Sequence, residues 1–148
     1  AANNSAFGNA ALLSNTTGAS NVAVGRAALE ANTTASNNTA VGYYALLANT
    51  TGGGNTALGA SALLVNTTGH SNTSVGFAAL ASNTTAIANT AVGRDALYSN
   101  TTGQYNTAVG YGAAEATTTG STNVAVGYTY SIICNKYNFY IFRLVISR

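Results

Sequence analysis

Charge is nearly missing from this 148-residue sequence. Asp, Glu, Lys and Arg together make 5% of it, against about 25% in ordinary globular chains. The five cations, Arg26, Arg94, Lys136, Arg143 and Arg148, are scattered and form no basic patch, which excludes a nucleic-acid binder. The acids are Glu30, Asp95 and Glu115, and His70 is the sole histidine. Convergent reactive groups are therefore lacking, no cluster has metal-ligand spacing, and no enzyme, metal or cofactor is expected. A single cysteine, Cys134, permits no internal disulfide and leaves the redox compartment undecided. Proline, methionine and tryptophan are absent. Long hydrophobic runs are missing too. The most apolar stretch, 132–146, is broken by Asn135, Lys136, Asn138 and Arg143 and falls short of the ~20 residues a spanning helix needs.

What is abundant is small and polar: nineteen Asn, twenty-two Thr and sixteen Gly. Regularly placed apolar residues argue against disorder, so the surface is expected to consist mostly of hydroxyls and amides. Ala1 and Ala2 open the chain where a Met would stand. Small residues of this kind flank signal-peptide cuts, and an exported product is expected.

The regularity is a repeat. Gly8, Gly25, Gly42, Gly59, Gly76, Gly93, Gly110 and Gly127 follow one another at intervals of 17 residues without a slip. The consensus is N-T-A-V-G-x-x-A-L-x-x-N-T-T-G-x-x, and a strict period of this length signals a solenoid or array. Alternation along N-T-A-V-G puts Thr39 and Val41 on one face of a strand and Ala40, followed by Gly42, on the other. Neither face carries charge, so the strand is expected to be covered on both sides. The apolar residue before each glycine (Val24, Val41, Leu58, Val75, Val92, Val109, Val126) is assigned to a core ladder. Leu29, Leu46, Leu63, Leu80 and Leu97 join it, with their variable neighbours pointing outward. Asn15, Asn32, Asn49, Asn66, Asn83 and Asn100 open each N-T-T corner and are expected to stack as an amide ladder.

A helical unit is disfavoured, because two turn signals per copy leave only about 6 residues between breaks, too few for a stable helix. The expected fold is all-β: a β-solenoid (β-roll) of eight 17-residue coils over residues 1–128. Residues 129–148 form an atypical apolar C-terminal strand segment, YSIICNKYNFYIFRLVISR with the preceding turn. That segment admits three readings: a cap on the last coil, a donated strand that docks on the next subunit, or an artefact of a truncated or misread sequence.

The N-T-A-V-G unit resembles the repeat of YadA-like trimeric autotransporter heads, and the N-T-A-V-G…N-T-T-G pattern is similar to repeats of bacterial surface proteins and phage-type tail fibres. The resemblance covers about residues 1–128. It implies a left-handed β-roll and close packing of neighbouring chains. On that footing the small face (Ala40, Gly42, Ala57, Gly59, Ala91, Gly93) and the apolar tail (Tyr137, Phe139, Ile141, Phe142, Leu144) are candidate interfaces. The coil is longer than the adhesin unit, and stalk heptads, a membrane anchor and a chaperone domain are not seen.

These features point to a structural subunit of an extracellular, cell-surface or virion fibre, associating with itself through solenoid ends or the small-residue face. The alternative is a carbohydrate- or surface-binding adhesin head. There Tyr43, Phe77, Tyr111 and Tyr128, each following a repeat glycine, would stack on surface glycans. A third reading is an ice-binding face formed by Asn15, Thr17 and their equivalents. Asn15, Asn32, Asn49, Asn66, Asn83 and Asn100 also begin N-x-T sequons, which makes them candidate glycan acceptors as well as corner residues.

Overall fold

A computed structural model of the chain describes residues 3–129, 132–135 and 138–140. Eight short strands recur every 17 residues: β1 (Ser5–Phe7), β2 (Val22–Val24), β3 (Thr39–Val41), β4 (Thr56–Leu58), β5 (Thr73–Val75), β6 (Thr90–Val92), β7 (Thr107–Val109) and β8 (Asn123–Val126). Each pairs in parallel with the next, like residue over like: Val22 on Thr39, Ala40 on Ala57, Val92 on Val109. Strands β9 (Ile132–Asn135) and β10 (Asn138–Tyr140) follow, antiparallel to β8 and to each other. The molecule is an all-β solenoid, with no helix among the described residues. Seven steps between eight rungs give a column of roughly 34 Å at the usual strand spacing.

The strands are inserted the other way round from the sequence expectation. Ala23, Ala40, Ala57, Ala91, Ala108 and Ala125 are fully buried, whereas Val24, Val41, Leu58, Val92, Val109 and Val126 face outward, Val41 with 37% of its surface exposed. Val75 is half-buried on the same outer side. The reason is volume. A 17-residue coil encloses a narrow lumen, and Leu29, Leu46, Leu63, Leu80 and Leu97, all fully buried, already fill much of it. Opposite them only an Ala-sized side chain fits. The β-branched residues suit the pleat and go where space is unlimited. Ser74 takes the Ala position in β5 and satisfies its buried hydroxyl by donating to the Ala79 carbonyl at 2.8 Å.

The Ala-Leu segment is not a second strand. Its backbone alternates in sign, with Ala27 at φ 55° and Leu29 at φ 53°, so consecutive Ala28 and Leu29 both point inward. Each positive φ at a non-glycine residue costs about 1–3 kcal/mol, and the hydrogen bonds show what offsets it. Amide donors alternate between neighbouring coils and the local turn. Leu29 N–H reaches Ala45 O at 3.1 Å and Ala31 N–H reaches Leu47 O at 3.1 Å, while Glu30 and Asn32 N–H turn back to Ala27 and Leu29. The turns are thus stitched coil to coil much as the strands are.

The two ends differ. In β1 all three residues are exposed, including Ala6, whose counterpart Ala23 is fully buried. At the other end β9 lies along β8, with Val124 opposite Cys134 and Val126 opposite Ile132. The backbone of the C-terminal segment therefore closes the strand edge of its own chain, in the manner of the cap reading.

Candidate functional site

Two asparagine ladders run the length of the solenoid, and they share acceptors. The corner ladder is the one read from the sequence. Asn32, Asn49, Asn66, Asn83 and Asn100 are fully buried. Each Nδ2 donates once to the Oδ1 of the preceding coil's Asn (Asn49 to Asn32, 3.0 Å; Asn66 to Asn49, 2.9 Å) and once to the carbonyl three residues on. The second ladder comprises Asn21, Asn38, Asn55, Asn72, Asn89 and Asn106, with Asn123 at its end. Here Oδ1 accepts the backbone N–H of the next coil's Asn, as Asn38 accepts from Asn55 at 2.8 Å. Its Nδ2 reaches the same corner carbonyl from the other side: Asn21 and Asn32 both donate to Ala35 O, at 2.9 and 3.1 Å. Sequence reasoning assigned no role to this second row. The available signal was its invariance: the residue four before the repeat glycine is Asn in every copy, from Asn4 to Asn123.

A third ladder lies at the surface of the same corner. Thr16, Thr33, Thr50, Thr67, Thr84 and Thr101 each donate Oγ1–H to the carbonyl of the equivalent Thr one coil on, at 2.9–3.3 Å. The outward grid here is threonine alone. Asn and Thr do not share a face, which removes the Asn-x-Thr geometry considered for ice.

Burial also corrects the glycan assignment. The amide hydrogens of Asn32, Asn49, Asn66, Asn83 and Asn100 are spent inside the folded coil, so these side chains present no acceptor nitrogen at the surface. Asn15, in the first coil, is half-buried, and its Nδ2 donates to Gly18 O.

The small-residue face is not an outer surface. Ala40, Ala57 and Ala91 are buried in their own solenoid. Gly42, Gly59 and Gly93 sit against the glycine of the following coil, where a Cβ would run into that residue's carbonyl group. Of the tail residues named as an interface, Tyr137, Ile141, Phe142 and Leu144 lie outside the described residues. Phe139 belongs to β10, opposite Cys134.

The row that follows each repeat glycine is exposed and stacks on itself. Tyr111 and Tyr128 are parallel, ring centroids 5.0 Å apart at 15°. The Arg94 guanidinium lies 5.2 Å from the Phe77 centroid and 5.6 Å from that of Tyr111, and its Nε–H donates to Asp95 at 3.0 Å. Farther up, Arg26 lies 5.7 Å from Tyr43 and 5.9 Å from Tyr44. These rings touch at 3.9 Å between centroids. Hydrogen bonding to Tyr44, helped by partial desolvation and the second phenol's charge, raises the Tyr43 pKa above the ordinary phenol value, with Arg26 pulling the other way.

His70 is exposed, its Nδ1 3.3 Å from Ser71 Oγ. Among the described residues no three His, Cys, Asp or Glu gather, and no helix is long and apolar enough to cross a membrane. The class that the geometry defines is a parallel β-solenoid with a polar, ladder-built interior and an uncharged outer sheet. The chain matches no protein-family profile, no curated protein sequence and no solved structure.

Proposed function

We propose that this solenoid is a structural subunit of an extracellular or virion fibre, and that copies associate through the outer face of the parallel sheet. One observation carries the reading. Val24, Val41, Leu58, Val92, Val109 and Val126 form an exposed apolar stripe along the column, flanked by half-buried Thr39, Thr56, Thr90 and Thr107. No charged residue interrupts the rows. An aligned apolar file of this kind is a candidate interface, and the natural occupant is a second copy. Its ridges repeat at the same ~4.8 Å rung spacing, so side chains of two such faces interdigitate over their whole length. The resemblance to trimeric autotransporter heads agrees with lateral packing, here through the Val-Thr face rather than the Ala-Gly face. The adhesin reading on Phe77, Tyr111 and Tyr128 is weaker, because Arg94 and the neighbouring rings already occupy the ring faces a sugar would need.

Sedimentation of the full chain over a range of concentrations tests the proposal. Concentration-dependent oligomers are expected. A Val41→Lys/Val92→Lys double variant should remain folded by circular dichroism and sediment as a monomer, since both side chains face outward. A wild-type chain that stays monomeric at high micromolar concentration, or a double variant that assembles unchanged, overturns it.

A further inference from the structure

We infer that a groove between the second and third coils is a binding site for a neutral pyranose sugar. The groove has a volume of about 430 Å³ and is lined by Ser14, Glu30, Ala31, Tyr44, Leu47 and Ala48. That volume lies within the range of small-ligand sites.

Departures from the repeat make the groove. Two residues after the glycine, other coils carry Ala27, Ser61, Ala78, Asp95 and Gly112. Here stands Tyr44, at φ 60°, a backbone region that a bulky residue rarely adopts. The column closes equally well with Ala27 or Ala78 at that place, so the fold does not require the ring. Glu30 likewise takes a variable outward position where Leu13, Leu64 and Tyr98 stand in other coils. Beside these tall side chains, Ala31 and Ala48 are short, and the difference in height opens the groove.

Its chemistry selects the ligand. Tyr44 and Leu47 offer apolar surface for the C–H face of a sugar ring. The Glu30 carboxylate accepts hydrogen bonds from hydroxyl groups, and Ser14 both donates and accepts. The Arg26 guanidinium, 5.9 Å from the Tyr44 ring, supplies donors at the edge. An anionic sugar meets the Glu30 carboxylate and a cationic one meets Arg26, so an uncharged polyhydroxylated ring fits best. The site is separate from the Val-Thr face and stands whether or not copies associate.

The test is binding of the full chain to an array of immobilised neutral, sialylated and sulfated glycans. Retention on neutral hexose-bearing glycans is expected. Tyr44→Ala and Glu30→Gln should each weaken it by about tenfold, the loss of roughly one charge-assisted hydrogen bond or ring contact. Tyr44→Ala installs the residue already present at Ala27 and Ala78, and circular dichroism confirms that it folds. Phe77→Ala and Tyr111→Ala should bind as wild type. No retention of neutral glycans, retention of sulfated or sialylated glycans alone, or wild-type binding by folded Tyr44→Ala overturns the inference.

Discussion

Asn38 and Asn49 meet at one atom: both side-chain amides donate to the carbonyl oxygen of Gly52, at 3.0 and 2.9 Å. The two residues belong to different ladders, and the corner carbonyl joins them by using both of its lone pairs. The same junction recurs at Ala35, Gly69, Ala86 and Gly103. Buried amides in a narrow β column are acceptable only when fully partnered, and the 17-residue period supplies partners above and below without side-chain diversity.

Asn49→Ala should therefore be far more damaging than its size suggests. The truncation leaves Asn32 Oδ1 without its donor and one Nδ2 hydrogen of Asn66 without its acceptor. Each orphaned buried group costs about 1–3 kcal/mol, so a loss of about 2–5 kcal/mol is expected in urea unfolding. Thr51→Ala, at an exposed neighbouring position, should stay within about 0.5 kcal/mol of wild type.

The corner ladder ends on an unpaired acceptor. Asn100 Oδ1 is buried and has no hydrogen-bond partner, because the next coil carries Thr117 where an Asn would donate. Gly120 O correspondingly receives Asn106 alone among the ladder amides. Thr117→Asn should extend the ladder by one rung and stabilise the chain by about 1 kcal/mol, read as a rise in the urea midpoint. An unchanged or lowered midpoint would show that the seventh corner cannot accept the amide.

The repeat glycines separate two costs that usually come mixed. Gly59 has φ +142°, and a Cβ there would lie 2.6 Å from the carbonyl carbon of Gly76; Gly127 has φ +132° and nothing within 4 Å. Gly127→Ala bears only the backbone term, about 1–3 kcal/mol. Gly59→Ala bears that term plus a steric one of about 1–3 kcal/mol, and should unfold at a clearly lower urea concentration. Equal losses would mean that coil-to-coil contact is not what fixes glycine at this position.

The period made the architecture readable. A glycine every 17 residues, with Leu and Asn in phase, is enough to place like over like, since only stacked coils use such spacing. What the pattern leaves open is the sense of the strand. Alternation separates Ala40 from Val41 but does not say which points inward, and the larger, more apolar residue was taken as core. The lumen decides otherwise, because Leu46 and the paired amides Asn38 and Asn49 already occupy it. The Ala-Leu segment was opaque for a related reason. Positive φ at Tyr44 and Leu46 has no signature in side-chain identity, since it is imposed by hydrogen bonds to adjacent coils. The Tyr44 groove was hidden because it arises from height differences between neighbouring variable positions, which one line of sequence does not juxtapose.

The orientation of the strands gives the sharpest contrast between two adjacent residues. Ala57 is fully buried between Ala40 and Ser74 of the flanking rungs, and Leu58 beside it is 38% exposed. Ala57→Val adds two methyl groups to a lumen with no spare volume and should cost about 1–3 kcal/mol. Leu58→Ala removes more atoms but from the outer face, and in dilute, monomeric protein should cost less than about 1 kcal/mol. An Ala-sized core facing Val in place of Leu would reverse the order, with Leu58→Ala carrying the 2–5 kcal/mol of a buried truncation. Urea unfolding of the two single variants at low concentration distinguishes the cases. At concentrations where copies associate, Leu58→Ala should in addition weaken the oligomer, whereas Ala57→Val should act through folding alone.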